Sequence, residues 1–118
     1  MKQNAIKTKS FGFAIRIVRL YQELVGAREY VLSKQLLRSG TSVGAMVHEA
    51  EHAESRADFN HKISIAQKEI NETIYWLELL KETGYLTADK FQPIHTDARE
   101  IIRLLTSIIK TTQANINH

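Results

Sequence analysis

Apolar residues recur along this chain at intervals of three and four, the spacing that gathers side chains on one face of an α-helix. In the first segment Ala14, Ile15, Val18, Tyr21 and Val25 form one strip, and Phe13, Ile17, Leu20 and Leu24 form a neighbouring one. A helix apolar over that much of its girth is expected to touch more than two neighbours. Gly26 and the charged pair Arg28-Glu29 are its expected close. A second helix is predicted from about Leu32, with Ser33 as an early cap and Leu36, Gly40, Val43, Val47 and Ala50 as its seam. Ser55 followed by Asp58 has the order of a capping box, so a third helix starts there, buries Phe59, Ile63, Ala66, Ile70, Ile74 and Leu77, and stops at Gly84. Thr87 caps a fourth, which turns Phe91, Ile94, Ala98, Ile101, Leu105, Ile108 and Thr112 inward. Pro93 either lies in its first turns and kinks them or delays the regular helix until after Gln92.

At 1.5 Å per residue the third helix would be about 40 Å long, so the expected body is long and thin. Short connections favour antiparallel neighbours. The expected fold is therefore all-α, an antiparallel up-down-up-down four-helix bundle. It would form a single domain over residues 1–118, with 1–8 and 113–118 as flexible tails.

The second helix contains RSGTSVGA, a run of small residues that each cost helix stability, roughly 0.5–1 kcal/mol relative to alanine for glycine. Close approach of another helix explains the run. A phosphate-binding loop needs a preceding strand and a G-x-x-x-x-G-K-[ST] order, and neither is present. The absence of cysteine excludes disulfides, thiolate zinc sites and cysteine nucleophiles, and fits a reducing compartment. MKQNAIKTKS lacks the apolar core of a signal peptide, and the apolar stretch from Ile101 to Ile109 is broken by Arg103 and Thr106. A cytoplasmic protein with no membrane span is the expectation.

Charge changes the picture more than composition does. The net charge is only +3, yet residues 1–38 hold eight Lys/Arg against Glu23 and Glu29, and the remainder sums to −3. Such a basic third suits phosphate binding. Arg16, Arg19, Arg28, Lys34 and Arg38 are the candidate nucleic-acid-binding residues, acting on the backbone, since no base-reading motif is present.

One stretch points to different chemistry. HEAEH, residues 48–52, matches H-E-x-x-H, in which two histidines one helical turn apart grip zinc and the glutamate activates water. Wheel geometry turns His48, Glu49 and His52 away from the seam, so the two histidines are candidates for adventitious metal binding only. The continuation Ala53-Glu54-Ser55-Arg56-Ala57-Asp58 supplies neither the glycine nor the third histidine of a metzincin. Roughly one shuffled chain of this composition in sixty would contain the motif by chance. His61 and His95 stand alone, Tyr75 and Trp76 diverge as sequence neighbours, and Glu69 and Glu72 lie on a strip expected to face solvent.

The segment from Leu36-Leu37-Arg38-Ser39 through Val43-Gly44-Ala45, Glu49-Ala50-Glu51 and Ser55-x-x-Asp58-Phe59 to Gly84-Tyr85-Leu86 resembles the four-helix-bundle proteins encoded in intervening sequences of bacterial 23S rRNA genes. That family also includes the accessory variability determinant of diversity-generating retroelements. The resemblance runs from about Phe11 to Ile109. It implies a non-enzymatic homo-oligomer, commonly a pentamer, that needs no cofactor and has basic surface suited to RNA or DNA. In that family the position of Glu49 is typically acidic, whereas those of His48 and His52 typically are not histidine. A small zinc hydrolase built on HEAEH and a protein-interaction scaffold are the alternatives.

Overall fold

The computed structural model describes residues 2–116, with side chains described for 4–114. Its elements are α1 (Lys2–Gly26), α2 (Leu32–Ala50), α3 (Arg56–Glu82) and α4 (Ala88–Ile116), and no strand occurs among the described residues. Each helix packs on its chain neighbours, and α4 closes back on α1. The pairing is antiparallel throughout: Lys7 meets Glu51, Arg38 meets Glu69 and Glu72, Gln67 meets Thr106, and Glu23 meets Lys90. The body measures 51 × 21 × 19 Å.

The buried positions show why these helices associate. They are 6, 10, 13, 17, 20 and 24 in α1, and 33, 36, 39, 40, 43, 47 and 50 in α2. In α3 they are 63, 66, 70, 73, 77 and 80, and in α4 they are 91, 94, 98, 101, 105, 108 and 112. With Ser39 as an addition beside Gly40, every series alternates steps of three and four. A mean repeat of three and a half lets gently supercoiled helices keep one seam facing the others over their whole length.

Two expectations shift under this rule. Thr73, fully buried, takes the core position expected for Ile74, which is only half-buried. The Thr73 hydroxyl is 2.7 Å from the Glu69 carbonyl and 2.9 Å from the Ser39 hydroxyl, so a polar group sits in the seam without a hydrogen-bonding deficit. In α1 only the strip of Phe13, Ile17, Leu20 and Leu24 is core, whereas Ile15 and Val18 remain exposed. Among the described residues the helix contacts α2 and α4 and no third helix. It also begins at Lys2 and buries Ile6, within the stretch expected to be loose, because Ile6 lies seven residues before Phe13 on the same face. At the far end α4 is helical to Ile116, so the tail expected from Gln113 is helical as far as the description extends. Pro93 is accommodated inside α4, two turns or fewer from its start.

The small-residue run of α2 lies where α1 comes closest. A β-carbon on Gly40 would stand 2.7 Å from Ile17 Cγ1, and one on Gly44 would stand 3.2 Å from the Ser10 carbonyl oxygen. Glycine is thus required for the α1–α2 distance.

Both hairpin connections at one end of the bundle use the same stop. After α1 the Glu29 amide donates to the Leu24 carbonyl at 2.9 Å, and after α3 the Tyr85 amide donates to the Leu80 carbonyl at 3.0 Å. Such a stop needs a left-handed residue one position earlier. Gly84 fills it after α3 with φ 87°, and Arg28 fills it after α1 with φ 66°. The left-handed residue of the first hairpin is therefore Arg28 and not Gly26, at a local cost of roughly 1 kcal/mol or more.

The start of α2 also differs from expectation. Ser33 does not cap it; its hydroxyl donates to the Glu29 carbonyl at 2.7 Å. The buried Glu29 carboxylate takes over the role, accepting from the amides of Val31, Leu32 and Ser33. Burial alone would push this carboxyl up, but the Leu32 and Ser33 amides, the Ser33 hydroxyl and the Val31 amide outweigh it and hold the carboxyl below its ordinary value. The other caps are as the sequence predicts: Ser55 Oγ accepts from the Asp58 amide at 3.0 Å, and Thr87 Oγ1 accepts from the Lys90 amide at 3.4 Å.

Two expected outcomes follow from these contacts. Gly40→Ala lowers stability by about 1–2 kcal/mol in urea unfolding, because overpacking against Ile17 exceeds the gain in helix propensity. Since the Glu29 carboxyl is depressed, its contribution is present above pH ~4.5 and is lost as pH falls through the folded value. Glu29→Gln therefore loses about 1–2 kcal/mol at neutral pH and shows a flatter decline in stability toward pH ~3, read by circular dichroism.

Candidate nucleic-acid interface

The five cations singled out from the sequence fall in three places. Arg16 belongs to a ladder along the α1–α4 seam, in which Lys9 pairs with Glu100, Arg16 with Asp97, and Glu23 with Lys90 at 2.9 Å. Residues 9, 16 and 23 are seven apart, so the heptad that phases the core also lines up these charges. Arg19 lies beside Arg16, and with Lys90 the two rim an open cleft floored by Leu20, Pro93 and Ile94. Arg28 and Lys34 lie at the hairpin end. Arg38 stands apart on the α2–α3 face.

Arg38 is engaged within the fold. Its guanidinium bonds Glu69 at 3.0 Å and also Glu72, and the Glu72 carboxylate accepts from the Trp76 indole at 2.9 Å. That indole bond first, and then Arg38, hold the Glu72 carboxyl below its ordinary value despite burial. Glu69 and Glu72 are thus partly buried partners of a cation, where a solvated strip was expected. Arg19, Arg28 and Lys34 are exposed and have no carboxylate within ion-pair distance among the described residues.

Sequence reasoning missed a second set. Arg99, Arg103 and Lys110 are exposed on α4 at spacings of four and seven, and Lys68 is exposed on α3. The acids of the same segments hid them when charge was summed by segment. Spacing along one helix face was the usable signal.

HEAEH straddles the end of α2. The helix stops at Ala50, and the Glu51, His52 and Ala53 amides close it with bonds three residues back. His48, Glu49 and His52 are exposed, and Ala50 alone of the motif faces the core. The two imidazoles meet edge to face with centroids 5.5 Å apart, while Glu51 is occupied by Lys7 at 3.0 Å. No cluster of three or more His, Cys, Asp or Glu able to hold a metal occurs among the described residues. Elsewhere His95 stacks on Phe91 at 4.8 Å and His61 is exposed. Tyr75 is exposed, and Trp76 packs partly against the core.

An exposed apolar strip runs along the outer face of α1. Phe11 is 69% exposed, and Ile15 and Val18 follow it at four and seven residues on the same face. Beside Phe11 an apolar groove between α1 and α2 is lined by Ala14, Thr41, Gly44 and Ala45. No helix among the described residues is long and apolar enough to cross a membrane.

Comparison with known proteins agrees with this architecture. No curated protein matches the chain. A crystal structure of a protein of unknown function from the S23 ribosomal protein family of Bacteroides thetaiotaomicron VPI-5482 superposes with a TM-score of 0.92. The two are 58% identical over 93% of this chain and 99% of that one. The family profile described as 23S rRNA-intervening sequence protein matches residues 2–107. With four helices in that order and a match over nearly its whole length, the chain belongs to the 23S rRNA-intervening sequence protein family.

Proposed function

We propose that this protein is a non-enzymatic, cytoplasmic homo-oligomer, a pentamer, that binds structured RNA or DNA through backbone contacts. The observation that carries the binding role is the set of cations left over once the fold has used the rest. Arg19, Arg28 and Lys34 have no internal partner among the described residues, and Arg99, Arg103 and Lys110 add a second exposed row. The family's name ties its members to 23S rRNA genes, and a polyanion is the ligand such a surface suits.

Self-association supports the same role. The strip of Phe11, Ile15 and Val18 and the groove beside it are self-complementary in kind, a row of knobs next to a trough of small residues. Repeating the chain in a closed ring would repeat each unpaired cation, and affinity for phosphates grows with the number of contacts. The zinc-hydrolase alternative has two exposed imidazoles and no third ligand among the described residues to complete a site.

The test is filter or anisotropy binding of a structured RNA across salt. Affinity is expected to fall steeply between about 50 and about 200 mM salt, and the double variant Arg19→Glu, Lys34→Glu is expected to bind at least tenfold more weakly with a shallower salt slope. Unchanged binding in the variant, or affinity indifferent to salt, contradicts the proposal.

A further inference from the structure

We infer that the end of the bundle carrying both hairpin connections grips unpaired nucleotides, with Arg28 and Lys34 on phosphates and Tyr30 and Tyr85 stacking on bases. This rests on the nucleic-acid role proposed above and narrows it to single-stranded or looped segments.

The two hairpins form a natural comparison. They close with the same backbone bond and need a left-handed residue at the same place, and one supplies glycine while the other supplies Arg28. Nothing inside the fold offsets the conformational cost of the arginine, since its side chain is exposed and has no ion-pair partner among the described residues. A side chain retained in a disfavoured backbone geometry is a pointer to function.

The neighbouring residues supply the rest of a binding surface. Tyr30 is 53% exposed and Tyr85 is 49% exposed, one on each connection, at one end of a body 21 × 19 Å in its two short dimensions. The only acid within the first connection, Glu29, is turned inward onto the amides of Val31, Leu32 and Ser33, so it is not engaged in an ion pair with Arg28 or Lys34. Around the second connection Lys81 and Lys90 are accompanied by Glu82 and Asp89, so the phosphates follow the α1–α2 side. Exposed tyrosines offer nothing to bases already stacked within a duplex, whereas splayed bases stack readily on aromatic rings.

Two labelled probes test this against full-length protein: an RNA hairpin with an unpaired loop, and a fully paired RNA duplex of equal length. Wild type is expected to bind the hairpin more tightly. Tyr30→Ala and Tyr85→Ala are each expected to weaken hairpin binding about fivefold to tenfold and leave duplex binding unchanged, while Tyr30→Phe retains it. Arg28→Gly is expected to raise the melting temperature by a few degrees yet weaken hairpin binding about fivefold. A gain of stability with a loss of binding is an outcome a purely structural residue cannot give. Equal, salt-sensitive binding of both probes, with every variant like wild type, overturns this inference and leaves the wider binding role standing. Absence of binding to either probe overturns both.

Discussion

The contact of Ile17 with the bare α-carbon of Gly40 fixes how closely α1 and α2 approach and how α1 is rotated. Ile17 cannot face Gly40 unless Ser10 and Leu24, seven residues to either side, face inward as well. That phase in turn places Phe11, Ile15 and Val18 on the outside. The exposed apolar strip is therefore a consequence of the core's register rather than a local accident. A helix that is apolar on two faces but buries only one has a second face to cover.

The same register organises charge. Lys9, Arg16 and Glu23 flank the α1 seam at seven-residue steps and meet partners on α4, and Arg38 is spent on Glu69 and Glu72. Exposed pairs of this kind contribute little stability each, about 0–1 kcal/mol, but together they specify how α4 aligns with α1. Outside these pairs the exposed cations include Arg19, Arg28 and Lys34, together with Lys68 and the row on α4. A chain of modest net charge can thus still present a basic surface, because Glu23, Glu51, Glu69, Glu72, Asp97 and Glu100 are engaged in pairs and Glu29 is turned inward.

The fold was legible because the three-and-four spacing is the core. The seam of α2, the stripe of α4, the Ser55 cap and the Gly84 stop stand in the chain as they stand in space. Where expectation and structure part, phase along the helix outranks residue type. Ile74 looked more like core than Thr73, yet the alternation demands position 73, where a hydroxyl bonded to Ser39 is no burden. Ser33 looked more like a cap than Glu29, although a carboxylate four residues earlier reaches the free amides of Val31, Leu32 and Ser33. Gly26 and the Arg28-Glu29 pair were the expected close, and the pair does close the helix, but nothing in the residue type marks Arg28 as left-handed. Of the candidate site, the positions were legible but their engagement was not. Whether Arg16 and Arg38 are free depends on Asp97, Glu69 and Glu72, which lie far away in sequence. HEAEH shows the converse, since a motif is only a spelling until a third ligand and a pocket stand beside it.

The claim on which the account turns is that the outer face of α1 is covered by another copy of the chain. Native mass spectrometry of the wild-type protein and of the double variant Phe11→Lys, Ile15→Lys measures it directly. Both side chains are exposed in the single chain, so the variant should keep its helical circular dichroism. The account predicts a closed ring of five wild-type subunits and a monomeric variant. A wild-type monomer at micromolar concentration, or a variant that assembles as the wild type does, would contradict it.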